Sequence, residues 1–199
     1  MNFRNISAAS KMKTTRGFTL VELIIVIALI ALLAIFSLPA VRGMLVSGKV
    51  EPTASDVNKA VASLRGNFSG QGNTPYVNLG TGAAATAVFA NTARGRTSAL
   101  TVSAATGAAA TIQHDLGATN SQIAVASSTI TAAGDSFTVT LPTVNEAACP
   151  GLAAQLSRSA ELITVNGVVA KAVGGTYNGG TAQNACTAGD TNAFVFTFR

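Results

Sequence analysis

The sequence predicts an α+β fold in which a long N-terminal helix packs on an antiparallel β-sheet. Three observations predict it. A nearly unbroken apolar run over residues 18–41 leads into helically spaced apolar positions that reach Phe68. Later segments alternate apolar and polar residues at the period of a strand. Two lone cysteines, Cys149 and Cys186, lie on either side of a strong hairpin signal near the C-terminus.

Composition sets the outer bounds. The 199 residues are 48% hydrophobic and 11% charged, which suits one modest globular domain with a membrane element. The formal net charge of +5 belongs to the first residues: of thirteen Lys and Arg, four (Arg4, Lys11, Lys13, Arg16) precede Phe18, leaving nine bases against eight acids beyond it. Only Arg94 and Arg96 come close to a basic cluster in the remainder, so nucleic acid is not an expected partner. With a single histidine, His114, and no CxxC pair, no metal, cofactor or redox centre is expected.

The first element is the apolar run. Residues 1–17 are polar and basic, without acids, and cations on one flank hold that flank in the cytoplasm, directing the C-terminal bulk outward. From Leu23 to Phe36 fourteen consecutive residues are apolar, and at about 1.5 Å per residue the 18–41 segment just spans a hydrocarbon core of about 30 Å. A removable secretory signal is the rival reading, but Ile35 and Leu38 occupy places in "AIFSLPAV" where cleavage wants small side chains. One acid, Glu22, interrupts the run near its start. A charge near a bilayer centre costs about 2.5 to 3.5 kcal/mol, so Glu22 needs a reason.

"GFTLVEL", at the end of a short basic leader, resembles the prepilin cleavage motif of type IV pilins and their pseudopilin relatives. The resemblance implies that a membrane peptidase cuts between Gly17 and Phe18 and methylates the new amine. Phe18 is then the mature N-terminus and Glu22 its fifth residue. The physical counterpart is an α-amino group of ordinary pKa about 7.7 to 8.0, with a carboxylate on the same helix face. In lipid or among packed helices that pair is better made than left open, within one chain or between neighbours, where it would set the stagger of added subunits. The plainer alternative is a first-turn Glu complementing the helix dipole, for under about 1 kcal/mol.

Beyond the anchor, Pro39 is expected to kink or loosen the helix, and Gly43, Gly48 and Pro52 to weaken it. Helical spacing resumes in "TASDVNKAVASLRGNF", with Thr53 or Ser55 as a cap, Val57, Val61, Leu64 and Phe68 on the packing side, and Asp56, Lys59 and Arg65 elsewhere. Residues 70–135 are rich in Gly, Ala, Thr and Ser and carry no phosphate-loop or dinucleotide signature. A loosely patterned surface region with short strands is expected there, "IAVASSTIT" being the best strand candidate.

The C-terminal part is patterned more sharply. "SFTVTLP" alternates Phe137, Val139 and Leu141 before Pro142, which is expected to stop the strand. Asn166-Gly167 between two apolar runs predicts a hairpin, and "AFVFTFR" alternates Phe194, Phe196 and Phe198. "NEAACPGLAAQLSRSAEL" reads as a short helix with Leu152, Leu156 and Leu162 inward. A Cys149–Cys186 disulfide would tie this helix to the segment entering the last strand, and two buried free thiols are the alternative.

"ACPGLAAQL", "ITVNGVVAK" and the closing "NAFVFTFR" resemble the C-terminal disulfide region of class b pilins, as in conjugative-plasmid and toxin-coregulated pili. The short leader and Phe18 instead resemble class a. The resemblance implies a pilin fold in three parts: a leader at 1–17, a transmembrane and filament-core half-helix at 18–41, and a globular head at 42–199 with the helix continuing to about 68. It implies a prepilin of the bacterial inner membrane with a periplasmic head, processed, N-methylated and polymerised with copies of itself into an extracellular filament for adhesion, aggregation, conjugation or motility. Its partners would be the prepilin peptidase/N-methyltransferase and the assembly platform with its ATPase. A minor pilin or a type II secretion pseudopilin is the alternative. Scattered acids (Asp115, Asp135, Glu146, Glu161, Asp190) argue against a calcium-binding pseudopilin. An anchored or secreted enzyme is disfavoured because no catalytic constellation accompanies His114, for which a surface or satisfied structural role is expected.

Overall fold

The computed structural model describes residues 17–117 and 121–199, and for residues 38–40 the backbone alone. The expected leader, apart from Gly17, therefore lies outside the described residues, as does the side chain of Pro39, on which the expected kink turns. The chain forms two units, Met1–Pro39 and Ala40–Arg199.

Helix α1 runs over Leu20–Phe68. Gly43, Gly48 and Pro52 do not interrupt it, as expected of one long helix reaching Phe68, and no separate helix start with a cap at Thr53 or Ser55 forms. The reason is packing within the second unit. Val46, Val50, Ala54, Val57, Val61 and Leu64 are buried, and the Ser47 hydroxyl donates to the carbonyl of Ala147 at 3.2 Å. Tertiary burial outweighs a helix-propensity loss of about 1 kcal/mol at each glycine. Pro52 has no amide to give the carbonyl of Gly48, and the helix continues past that missing bond.

After a short 3-10 turn at Val77–Leu79 come α2 (Gly82–Ala93), β1 (Thr101–Val102) and β2 (Ile112–Gln113). Helix α2 corrects the expectation of a surface region here. Ala85, Thr86, Ala87, Phe89, Ala90 and Ala93 are buried, so small side chains bring this helix close to the core. Alanine favours helix strongly but contributes little apolar contrast, and that is why periodicity overlooked it.

The main sheet follows: β3 (Ala124–Thr129), β4 (Ala133–Val144), β5 (Leu162–Val165), β6 (Val168–Lys171) and β7 (Asn192–Phe198). Its order is β3-β4-β7-β5-β6, and every neighbouring pair is antiparallel. The last strand is thus the central one. Phe194, Phe196 and Phe198 stand opposite Leu141, Val139 and Phe137 of β4, and all six are fully buried. Each ring contributes about 1.5 to 3 kcal/mol through burial. Tyr76 closes this row against Phe137 at 4.6 Å between ring centroids.

Asn166 and Gly167 join β5 to β6 with φ of 50° and 82°, the two left-handed positions that a two-residue hairpin of this twist requires. Pro142, by contrast, does not end β4. The strand runs on to Val144 across a register shift between Leu141 and Val144, where a residue without an amide hydrogen fits. Opposite this irregularity Gly117 packs so tightly that a Cβ there would stand 1.7 Å from the carbonyl oxygen of Thr143.

Helix α3 (Cys149–Leu156) has Leu152 and Leu156 buried as expected, with Pro150 in its first turn. Leu162 is not on it. It lies in β5 opposite Thr197, on the face away from Phe196, and is only partly buried. A further helix, α4 (Gly179–Ala185), arises in a Gly-rich stretch that carries no apolar period, and the Asn178 side chain caps it by accepting from the Thr181 amide at 3.0 Å.

Candidate processing and assembly site

Gly17, Phe18 and Thr19 precede α1. The Thr19 hydroxyl accepts from the Glu22 amide at 3.2 Å, and the Thr19 carbonyl accepts from the Leu23 amide at 3.1 Å. Thr19 is therefore the N-cap of the helix, and Glu22 stands at its third position. This Thr-x-x-Glu spacing is that of a capping box, a signal present in the sequence and overlooked there. It places the Glu22 carboxylate in the first turn, near the positive end of the helix dipole.

Beyond Glu22 the helix surface is apolar on every side. Leu23, Ile24, Ile25, Ile27, Leu29, Ile30, Leu32, Leu33, Ile35 and Phe36 are each more than half exposed, and the 18-residue window of highest hydropathy averages 3.0 with none of it buried. A helix apolar all round belongs in lipid or among other helices.

The second unit holds the disulfide. Cys149 and Cys186 are bonded, with Cα atoms 6.1 Å apart, joining the first residue of α3 to the residue capping the end of α4. This loop is braced by two asparagines that sequence reading overlooked as a pair. The Asn166 amide donates to the carbonyl of Ala185 at 2.8 Å and to Asn192 Oδ1 at 2.9 Å, while its own oxygen accepts from the Ala193 amide at 2.8 Å. Asn192, fully buried, donates to the carbonyls of Val144 and Thr187 at 3.1 and 2.9 Å. Asn166 thus serves both the hairpin turn and the clamp on the chain entering β7.

Charged contacts hold α1 to the loops around it. Arg42 pairs with Asp190 at 2.5 Å, and Lys49 pairs with Asp115. The Lys49 pair is exposed on both sides and is worth under about 1 kcal/mol, whereas in the Arg42 pair the arginine is exposed and Asp190 is largely covered. Asp56 differs, and its inward orientation corrects its placement away from the packing side. Its side chain is 1% exposed, bonded to Lys59 at 2.8 Å and to the amides of Ser98 and Ala99 at 2.6 Å each. Burial alone would raise this carboxyl, but those donors outweigh it and hold it below the ordinary carboxylate value.

Asp135 makes a similar anchor, taking the amides of Ile130, Thr131 and Ala132 and the guanidinium of Arg199. These donors overcome the raising effect of burial and hold it well below the ordinary range. His114 is buried. Its Nε2 donates to the carbonyl of Pro142 at 2.8 Å in the neutral tautomer, where Nδ1 accepts from the Leu116 amide at 3.3 Å. Both ring nitrogens are occupied, the satisfied structural role expected of it. Burial lowers its pKa to about 4, against the opposing pull of the Pro142 carbonyl and Asp115.

Residues 49–199 match the family described as PilS N terminal, and residues 12–38 match the prokaryotic N-terminal methylation motif. The fold is shared with a type IV b pilin from Salmonella typhi, at 23% identity and a TM-score of 0.50 over 72% of this chain and 95% of that one. It is shared also with TcpA, a type IV pilin from the El Tor biotype of Vibrio cholerae, at 16% identity and a TM-score of 0.52 over 77% of this chain and all of that one. No curated protein sequence matches. With a methylation motif at its N-terminus, a disulfide-bounded C-terminal region and the fold of those type IV pilins, and with the PilS match covering well over half of its length, the chain belongs to the PilS family.

Proposed function

We propose that this protein is the structural subunit of a type IV pilus. It is held in the inner membrane as a precursor with its head in the periplasm, cut between Gly17 and Phe18, methylated at the Phe18 amine and polymerised with copies of itself. The peptidase/N-methyltransferase and the assembly platform with its ATPase act on it in turn. The exposed filament serves adhesion, aggregation, conjugation or motility. It performs no catalysis of its own.

The observation that carries this reading is the capped, wholly apolar start of α1 with a single carboxylate in its first turn. Cleavage at Gly17 would create a positive amine beside the positive end of the helix dipole, an unfavourable neighbour in a low dielectric. Glu22, of the same chain or of the next, removes that penalty by pairing with the amine. Pairing between chains adds register, since a subunit displaced along its neighbour leaves two charges bare in apolar surroundings. Pro39 supplies the bending point between filament core and head.

Intact mass and N-terminal sequencing of protein from membranes and from sheared cell surfaces test the processing. A methylated chain starting at Phe18 in the sheared fraction supports it, and a chain starting after Ala40 discards it. Glu22→Ala should leave cleavage intact and impair filament yield, whereas a bulky residue in place of Gly17 should block cleavage. Normal filaments from Glu22→Ala would end the amine-pairing account.

A further inference from the structure

Between Asp56 and Asp115 the sequence contains no Asp or Glu, yet Lys59, Arg65, Arg94 and Arg96 fall in that interval. The fold concentrates this imbalance. Asp56 is buried and neutralised by Lys59. Arg65 turns toward the sheet, with its guanidinium over the Phe198 ring at 5.8 Å and one nitrogen 3.5 Å from the carbonyl of Ser159. Arg94 and Arg96 remain, just beyond the end of α2. With Ser63, Asn67, Val88, Asn91 and Thr92 they line an open groove of about 420 Å³ between α1 and α2.

The groups in this groove are held in place. Arg94 donates to the carbonyls of Ser103 and Ala105 at 2.9 and 2.5 Å. Asn91 donates to the carbonyl of Gly107 at 2.9 Å. Asn67 bonds the Thr92 hydroxyl at 3.4 Å, and that hydroxyl donates to the carbonyl of Val88 at 2.8 Å. Arg96 is exposed, and among the described residues its guanidinium makes no hydrogen bond or ion pair. One free planar cation thus stands beside amides and hydroxyls already ordered by the backbone.

We propose that this groove binds an acidic saccharide, its carboxylate or sulfate on Arg96 and its hydroxyls on Ser63, Asn67 and Asn91. The guanidinium fork matches a planar or tetrahedral oxyanion with two parallel bonds, and preordered amides accept and donate to sugar hydroxyls at little entropic cost. Val88, 37% exposed, offers the small apolar surface that a sugar ring covers. No aromatic residue lines the groove, so it lacks the stacking platform with which single-stranded nucleic acid is held.

The test titrates the detergent-solubilised full chain, and separately any assembled filaments, with four probes: a heparin-derived tetrasaccharide, a hyaluronan tetrasaccharide, neutral maltotetraose and a short single-stranded DNA. The expected result is salt-sensitive binding of the two acidic saccharides and none of the neutral one. Arg96→Gln should weaken that binding about tenfold, the usual weight of a charged hydrogen-bonding pair. Arg158→Gln, an exposed cation beyond α3, should leave it unchanged. A thermal melt of each variant confirms folding, and exposed, unpartnered Arg96 should tolerate the change. Absence of acidic-saccharide binding by folded protein, equal binding by Arg96→Gln, or tighter binding of the DNA would each overturn the proposal. The solubilised chain reports on the groove whether or not filaments form, so failure here is distinct from failure of the pilus reading.

Discussion

The two ends of helix α1 are both rich in apolar residues and behave in opposite ways. Near the N-terminus every side is apolar and exposed, as at Ile24, Ile27 and Leu33. Farther along, apolar residues recur on one side only, and Val57, Val61 and Leu64 are buried against the chain's own sheet and loops. The difference teaches that hydrophobicity alone does not make a core. A stripe is satisfied by folding, whereas an all-round surface needs lipid or other helices.

Removing residues 1–39 should break the comparison most completely. The remaining Ala40–Arg199 unit keeps its buried cluster and should unfold cooperatively as a soluble monomer, while filament formation is abolished. Electron microscopy and sedimentation check the two halves of that outcome. Core truncation sharpens it. Leu64→Ala should cost about 3 to 5 kcal/mol of head stability in a denaturant titration, and Ile27→Ala almost none while lowering membrane retention or filament yield.

The disulfide belongs wholly to the folded unit. Replacing Cys149 and Cys186 by serine should lower head stability by about 3 to 4 kcal/mol, the chain-entropy value for a sequence separation of 37. The apolar segment should still insert.

His114 gives the head a pH response. Because its folded pKa of about 4 lies below its ordinary 6.5, its contribution is present above pH 6.5 and is lost as pH falls toward 4. The loss is at most about 3 kcal/mol, read from denaturation midpoints at pH 7.5 and 4.5, and His114→Gln should flatten that part of the profile. Asp56→Ala is the smallest effect, about 1 to 3 kcal/mol from two backbone amides left without their acceptor. Its folded pKa is also depressed, so that contribution is present above the ordinary carboxylate value and disappears at more acid pH.

Patterned segments declared themselves in the sequence. The hairpin at Asn166-Gly167 was legible because left-handed backbone at two adjacent residues favours those side chains strongly. The central strand was legible because three phenylalanines alternate, and the N-terminal methylation motif because a basic leader, Gly17, Glu22 and an apolar run occur at fixed spacing. Helix α2 was not legible, since alanines that pack closely look the same as alanines that do not pack at all. Pro142 read as a stop because its missing amide is local, whereas the register shift that accommodates it is a property of β4 and β7 together. Asp56 read as lying off the packing side because the amides of Ser98 and Ala99 that receive it lie far along the chain.

The sequence by itself determined where the N-terminal methylation motif lies, which segment is apolar all round, which cysteines exist to pair and which strands face inward, because each depends on residue type and short-range period. Only the tertiary structure decided that β4 continues past Pro142, that the final strand is central, and that Asn166, Asn192 and Asp56 lock distant loops. Those outcomes depend on contacts between residues far apart in the chain, and no local period encodes them.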